Sequence, residues 1–388
     1  MDSGDFAFLF TAAVVITLMT PAVAYFYGGL VHKKFTHTML MQTFFTIPLI
    51  TLVWSLVGFS LAYGENILGG TIGGADFLFL RGLTDNANNL WAPTVPLSLF
   101  FVVQLTFAII TPALISGALV ARFRFVPYVI FFITWSLLVY SPLIHWVWGG
   151  GFLAKMGYLD FAGGLPVHLI AGFSSLAAVF AIGNREKRED GPSNMVYVAI
   201  GVGILWAGWL IFNASAALGA NETAALAAMN TLLASASGCI AWLLLAYGQH
   251  KKISVGDVVF GAFSGLVVST PTSGFVSPWV MLPAGFIGGM LCYGAVALRL
   301  KRNWDDTLDV WALHGIGGFT GVLLLGIFAN PDLAPAAGWL YGNPKQFFIE
   351  VAGLLIGTAY CVIVTYLLVK IINRFTPFRQ KNEEPEDF

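Results

Sequence analysis

The chain has 388 residues, of which 57% are hydrophobic and 10% are charged, and its mean hydropathy is +0.80. A water-soluble domain of this length would not carry so much apolar surface, so the composition excludes a soluble globular protein and indicates an integral membrane protein. The net charge of −1 gives no sign of a nucleic-acid partner.

Apolar stretches follow one another along the whole chain. Crossing about 30 Å of hydrocarbon at about 1.5 Å per residue needs roughly 20 apolar residues. Eleven stretches meet this length, and they predict an all-α membrane protein with eleven transmembrane helices. Their approximate centres are Val15, Leu49, Thr106, Ile133, Ala171, Leu205, Ala234, Gly265, Gly288, Gly321 and Gly357.

The ends and connections of the chain carry little further structure in this prediction. The first residues contain acids where a secretory signal has bases, so we expect a retained first helix. The longest connection, about 64–96, is rich in Gly and Asn and is expected to lie outside the membrane. We expect a membrane domain over 1–378 and a short charged cytoplasmic tail, disordered, over 379–388.

Basic residues predict the orientation of the helices, because Lys and Arg are retained on the cytoplasmic side. With the N-terminus outside, only Arg81, Lys155 and Lys345 of the 19 basic residues fall outside the cell. The asymmetry favours eleven spans with the N-terminus out and the C-terminus in, in an inner or plasma membrane.

Small residues within the stretches predict close helix packing. Glycines four residues apart allow helix backbones to approach in lipid, and such pairs are Gly261 and Gly265, Gly285 and Gly289, and Gly317 and Gly321. The cysteines also fall within apolar stretches and are interpreted as packing residues without disulfides. They are Cys239, Cys292 and Cys361.

Two histidines, His168 and His314, lie inside apolar stretches. An ionisable group at bilayer depth is costly and usually marks a functional site. An acid precedes each histidine, Asp160 the first and Asp309 the second. Because each half of the chain supplies one imidazole, the pattern predicts two inverted five-helix repeats and a C-terminal helix around a central substrate path.

Three interpretations of the histidine pair are open from residue types alone. The pair could form interhelical hydrogen bonds with no further function. It could ligate haem, although a two-haem protein needs four histidines and only His145 is a further candidate. It could line a pore for a small polar solute, which requires no metal and no cofactor.

Seven segments carry a resemblance to a known family. In chain order they are AYFYGGLVHKK, QLTFA, HWVWGGGFLA, LDFAGGLPVH, GWLIFNASAALGANETAALAAMNT, TPTSGF and DDTLDVWALHG. From about Asp5 to Phe378 the chain resembles the ammonium transporter (Amt/Mep/Rh) family, in its Amt branch. The resemblance implies transport rather than enzymatic activity, with ammonium or ammonia as substrate and methylammonium as a further candidate. It also implies a homotrimer with one pore per subunit and a PII-type regulatory protein as a candidate partner.

The resemblance also implies the roles of individual residues. Aromatic faces recruit ammonium at an outer cup, where a cation over a ring gains about 0.5–2 kcal/mol, and ammonia then passes an aromatic gate and two histidines. The matching residues are Phe107, Trp148, Ser215 and Ala216 in the cup, Phe107 and Phe212 in the gate, His168 and His314 in the pore, and Asp160, Trp209, Asn213 and Asp309 in support.

Two departures from the family pattern qualify this assignment. The family commonly has serine four residues after the lower gate phenylalanine, where this chain has Ala216, with Ser215 one position earlier. The tail also ends soon after Arg379, which leaves a second function open: an ammonium sensor, the membrane receptor module of a longer protein with a fused cytoplasmic signalling domain. A native chain that continues beyond Phe388 would favour the sensor, and a natural stop there would favour the transporter.

Overall fold

Eleven long helices form the structure, a computed structural model that describes residues 1–84, 90–186, 191–379 and 385. Within these residues eleven helices are long and apolar enough to cross a membrane, which confirms the predicted number. The chain is therefore a multi-pass membrane protein. In chain order the helices α1 to α11 are Ser3–Leu30, Lys33–Tyr63, Leu97–Ser116, Phe125–Met156, Gly164–Ile182, Met195–Ser215, Glu222–His250, Val255–Thr272, Pro278–Arg302, Trp311–Phe328 and Pro344–Phe375.

Local irregularities divide two of these helices. A 3₁₀ turn, Lys33–Phe35, opens α2, and a π-helical turn, Trp54–Gly58, interrupts it. A π-helical turn over Ser136–Tyr140 interrupts α4, which continues to Val147 and resumes in a short helix, Phe152–Met156. The break before this last helix puts Trp148 at a helix end.

Polar side chains fix the starts of several helices. Asp2 accepts a hydrogen bond from the Asp5 amide at the start of α1, and Asn221 accepts one from the Ala224 amide at the start of α7. Ser254 and Asp257 form a reciprocal capping box at the start of α8. These bonds satisfy amides that the first helical turn leaves without partners.

Two further helices, α5 and α10, begin with a π-helical turn, and each turn contains one histidine. The turn over Gly164–Leu169 contains His168, and the turn over Trp311–Gly315 contains His314. Such turns are frequent at functional sites because the extra residue changes the direction of the side chains. The two histidines are therefore carried at matching places in two helices.

Glycines let α5 and α10 approach each other closely beside these turns. A Cβ atom at Gly172 would clash with the backbone of Gly315, and one at Gly318 would lie 2.6 Å from the carbonyl oxygen of Gly164. Backbone contact at two points fixes the relative position of the helices and of their histidines.

The glycine pairs predicted from sequence also lie at helix contacts, which confirms that prediction. A Cβ atom at Gly261 would lie 2.9 Å from the Cα of Cys239 on α7, and one at Gly289 would clash with the Gly238 carbonyl. One at Gly321 would lie 2.6 Å from the Val268 carbonyl on α8. All three cysteines are buried with free thiols.

The connections gather at two ends of the bundle. At the end where α1 begins, called here the N-terminal end, the Asp2 amide bonds to Thr94 O and Asp5 Oδ1 accepts from the Ala220 amide, each at 2.8 Å. The long connection also lies there and contains a two-stranded antiparallel sheet, with β1 over Asn66–Ile67 and β2 over Ile72–Gly73. Short 3₁₀ helices, Leu78–Leu80 and Trp339–Tyr341, complete the connections.

Charged side chains join three connections and the segment after α11 at the opposite end, called here the basic end. Asp305 forms ion pairs with Arg122 at 3.5 Å and with Arg185 at 2.8 Å. Beyond α11, Arg379 donates to the carbonyls of Gly183 and Asn184 at 2.7 and 2.6 Å. The remainder of the predicted tail, 380–384 and 386–388, lies outside the described residues.

Candidate ammonium site and pore

A cavity of about 510 Å³ opens at the N-terminal end of the bundle. All four residues assigned to the cup by sequence line it: Phe107, Trp148, Ser215 and Ala216. Other lining residues are Tyr63, Trp91, Phe100, Val103, Gln104, Asp160, Phe161, Ala217, Leu218, Thr223, Phe275, Leu333 and Pro335. The cup is therefore mainly aromatic and apolar, with a few polar side chains.

A pair of phenylalanine rings closes the inner side of the cup. The ring centroids of Phe107 and Phe212 are 4.3 Å apart at an interplanar angle of 36°, and both side chains are buried. Trp148 stands edge-on to Phe107 at 5.9 Å, and its indole N–H donates to the Asp160 carbonyl oxygen at 2.9 Å. The arrangement presents aromatic surface to a cation in the cup and closes the path beneath it.

The Asp160 carboxylate caps the start of α5. Its Oδ1 accepts from the amides of Gly163 and Gly164 at 2.8 Å each, and its Oδ2 accepts from the Leu165 amide at 2.6 Å. Burial raises the pKa of Asp160 to about 6, although the three amide hydrogen bonds oppose that rise. Asp160 thus combines a structural bond network with a negative charge at the wall of the cup.

The two histidines contact each other beneath the phenylalanine pair. His168 Nδ1 lies 3.1 Å from His314 Nδ1, and the ring centroids are 5.2 Å apart. The His168 ring lies 6.3 Å from Phe212, which joins the gate to the pair. The imidazoles expose only 2% and 1% of their surfaces.

Thr270 and Trp209 hold the far side of His168. His168 Nε2 lies 3.1 Å from Thr270 Oγ1, which also accepts from the Trp209 indole N–H at 3.0 Å. The Trp209 ring stacks on His168 at 5.1 Å and 17°. Trp209 was predicted from the sequence as a supporting residue. Thr270 was missed, although its hydroxyl lies in the TPTSGF segment within a predicted span.

The space beside His168 is narrow and apolar. A cavity of about 10 Å³ is lined there by Met19, Ile110, Leu114, Val167, His168, Leu205, Trp209 and Phe212. This volume is at the lower limit for one water molecule, and the walls offer few polar partners. A neutral solute suits this space better than a hydrated ion.

The second acid of the sequence pattern occupies a different place from the one expected. Asp309, predicted as the counterpart of Asp160, instead forms a two-bond ion pair with Arg299 at 2.8 and 3.0 Å. Asp306 Oδ2 accepts from the Trp311 amide at 2.7 Å, as Asp160 Oδ2 does from Leu165. Asp306 is therefore the residue that matches Asp160. The sequence carries a sign of this match, because each of the two acids precedes its histidine by eight residues.

The remaining assigned side chains are occupied by bonds within the protein. The Ser215 hydroxyl donates to the Phe212 carbonyl at 2.9 Å. The Asn213 amide donates to Thr231 and Ser269 at 2.8 and 3.0 Å, which joins α6 to α7 and α8. Asn213 thus lies at a helix junction and does not line the cup.

His145, the further haem candidate, lies away from the histidine pair. Its ring nitrogens are 2.9 Å from the Ala62 carbonyl and 3.1 Å from Asn66 Oδ1. These bonds hold α4 against the end of α2 and the sheet. His145 therefore does not join His168 and His314 in a matched set of haem ligands.

The chain matches known proteins over nearly all its length. The Ammonium Transporter Family pattern matches residues 7–387. Ammonium transporters of Aquifex aeolicus (strain VF5) and Bacillus subtilis (strain 168) are 40% and 38% identical to it, over 99% of this chain and 90% and 95% of theirs. The crystal structure of Saccharomyces cerevisiae Mep2 has a TM-score of 0.92 at 31% identity and covers 100% of this chain and 89% of that one.

A solved structure of a sensor Amt protein is also similar, with a TM-score of 0.90 at 26% identity over 98% of this chain and 96% of that one. The family pattern and the identities to transporters over full length agree with the motifs found in the sequence. The chain therefore belongs to the ammonium transporter family, which confirms the predicted family and its transport, rather than enzymatic, function.

Proposed function

We propose that the chain moves ammonium across the membrane by binding the ion in the aromatic cup, removing a proton and passing ammonia along the histidine pair. The contact between His168 and His314 directly beneath the Phe107 and Phe212 rings carries this proposal. The cup supplies cation-binding aromatic faces. The narrow apolar space below it accepts a neutral molecule at far lower cost than a bare ion.

Deprotonation gives the pore its selectivity. Ammonium and potassium ions have similar sizes, so a filter based on diameter separates them poorly. Only ammonium becomes neutral by losing a proton, and the neutral molecule avoids the desolvation cost of a charge. The imidazoles then offer ammonia a hydrogen-bond donor or acceptor in place of water.

The hydrogen bonds around His168 support a path for the released proton. In one arrangement Thr270 donates to His168 Nε2, and His168 donates from Nδ1 to His314 Nδ1. In the other arrangement Thr270 donates to the Leu266 carbonyl, 3.2 Å away, His168 donates from Nε2 to Thr270, and His314 donates from Nδ1 to His168. Trp209 donates to Thr270 in both.

Each arrangement keeps both imidazoles neutral. A proton accepted at His168 Nε2, followed by transfer between the two Nδ1 atoms and release from His314 Nε2, converts the first arrangement into the second. The pair would thus relay a proton while ammonia crosses separately, and the net result is the transfer of one positive charge.

We also propose two inverted five-helix repeats followed by α11, with the N-terminal end outside and the basic end in the cytoplasm. Equivalent carboxylate caps, Asp160 before α5 and Asp306 before α10, support the repeat. The two π-helical turns with one histidine each support it further. The basic residues support the orientation.

The assembly and partners follow from the family resemblance and stay proposals. We propose a homotrimer with one pore in each subunit, methylammonium as a second substrate and a PII-type regulator at the basic end. We further propose that residues 1–378 form the membrane domain and 379–388 a cytoplasmic tail. The hydrogen bonds from Arg379 to the carbonyls of Gly183 and Asn184 support a tail that begins against the domain.

The sensor remains the second candidate, and the similarity to a sensor Amt protein supports it. Sequence identity to that protein is 26%, against 40% and 38% to the two transporters. These values favour transport. A protein that binds ammonium without conducting ammonia or charge would support the sensor instead.

The test is the rate of internal alkalinisation of proteoliposomes after ammonium is added outside. We expect a rate above the lipid background, and a fall of about tenfold in His314→Ala, which removes one hydrogen-bonding partner from the path. His37→Ala, at an exposed position on α2, is the matched control and should behave as the unmodified protein. Equal rates in all three proteins would contradict the role of the histidine pair.

A further inference from the structure

Gln104 is a polar side chain in the cup whose role the sequence motifs do not assign. It lies on α3 one helical turn before Phe107, so both side chains face the same direction. It lines the cup and is only 7% exposed. Its carbonyl oxygen, Oε1, has no hydrogen-bond partner among the described residues.

An unpaired buried acceptor is unusual because it has lost water without gaining a partner, at a cost of about 1–3 kcal/mol. Such an atom in a binding cavity fits a partner that arrives with the ligand. The terminal amide torsion is soft, so the oxygen can turn to meet an entering donor.

The other polar side chains assigned to the cup already have hydrogen-bond partners. Both Asp160 oxygens accept from backbone amides. The Ser215 hydroxyl donates to the Phe212 carbonyl, and although its oxygen can still accept, the residue is fully buried. Ala216 replaces the family's usual serine with a methyl group. Among the cup-lining residues that the structure describes, Gln104 Oε1 and the Tyr63 hydroxyl are buried without a hydrogen-bond partner. An amide oxygen is a stronger acceptor than a phenol oxygen, so Gln104 suits an ion whose charge is carried entirely on N–H groups better.

We infer that Gln104 Oε1 accepts a hydrogen bond from ammonium in the cup and thereby favours ammonium over methylated ammonium ions. This inference rests on the proposed function. Ammonium presents an N–H group in every direction, so one always meets Oε1 while others face the rings of Phe107 and Trp148. Methylammonium must keep its methyl group away from Oε1, because an apolar group there leaves the acceptor unpaired.

Replacing the acceptor with an apolar side chain should therefore change the two substrates unequally. In Gln104→Leu the ammonium ion loses a charge-assisted hydrogen bond, and its KM should rise about tenfold. Methylammonium can turn its methyl group toward the leucine side chain, so its KM should change by less than about threefold. The preference for ammonium, as the ratio of kcat/KM values, should fall by about threefold or more.

The experiment measures kcat and KM for both substrates with the purified full chain in proteoliposomes. Gln104→Glu retains an oxygen acceptor at the same place and should keep the preference for ammonium. Thr106→Val is the control on α3, because that hydroxyl donates to the Val103 carbonyl and Thr106 does not line the cup. If the leucine variant is not monodisperse, Gln104→Met replaces it.

Failure of the inference and failure of the proposed function give different results. A ratio in Gln104→Leu or Gln104→Met within twofold of the unmodified protein, or the same loss in Thr106→Val, overturns the role of Gln104. Absence of ammonium-dependent transport by the unmodified protein instead overturns the proposed function. A smaller ratio of kcat/KM values in Gln104→Leu, together with the unmodified ratio in Gln104→Glu, supports the inference.

Discussion

Removal of the Asp160 carboxylate should destabilise the protein more than removal of its counterpart, Asp306. Asp160→Ala leaves the amides of Gly163, Gly164 and Leu165 without the acceptors that they now have at 2.6–2.8 Å. Each buried unpaired donor costs about 1–3 kcal/mol, so the three together cost roughly 3–9 kcal/mol. That loss is comparable with the stability of a typical folded domain, about 5–15 kcal/mol.

Asp306→Ala provides the matched comparison. It leaves two amides, those of Trp311 and Val310, without their acceptor, at a cost of about 2–6 kcal/mol. Both carboxyl groups are buried, so both variants avoid the cost of burying a charge. The expected difference is the cost of one amide, about 1–3 kcal/mol.

Thermal unfolding in detergent, followed by the fraction of monodisperse protein, measures this difference. The expected order of stability is unmodified protein, Asp306→Ala and then Asp160→Ala. Asp160→Asn should be intermediate, because its amide oxygen still accepts from part of the set. An Asp306→Ala variant that is as unstable as Asp160→Ala, or less stable, would refute the reasoning.

Three further predictions concern the helix crossing, the cup and its charge. In Gly172→Val the added side chain should clash with Gly315, separate α5 from α10 and abolish transport. Gly203→Ala adds a methyl group in open space and should leave the ammonium flux unchanged. Trp148→Leu should raise the ammonium KM about 2–30-fold through loss of the cation–π contact, and Trp148→Phe should restore most of the affinity. Asp160 is ionised above its pKa of about 6, so lowering the pH from about 7 to 5 should raise the ammonium KM as its negative charge is lost. In Asp160→Asn the ammonium KM should be the same at both pH values. A rise in KM as large as that of the unmodified protein would contradict the role of the Asp160 charge.

The helix framework could be predicted from the sequence because membrane spans require long apolar stretches. Each of the eleven predicted centres falls within one of the eleven helices, although the centre at Ile133 lies toward the start of α4. Sequence periodicity does not reveal the π-helical turns, because each is a single turn within or at the start of a long apolar helix. These turns set the direction of His168 and His314.

The site was predictable where a residue type is rare at its depth and was missed where it is common. Histidines inside spans are unusual, which singled out His168 and His314. Thr270 and Gln104 have ordinary residue types, and only their bonding shows their importance. Asp309 was named from the sequence as the acid that precedes His314, whereas in the structure the Asp306 carboxylate reaches the start of α10.

The most direct test of the account is the charge displaced by an ammonium pulse on proteoliposomes that contain the purified protein. The account predicts a sustained, saturable current that scales with protein, is absent with potassium and is lost in His168→Ala. An equal current with potassium, or an undiminished ammonium-selective current in His168→Ala, would contradict deprotonation and relay at the histidine pair.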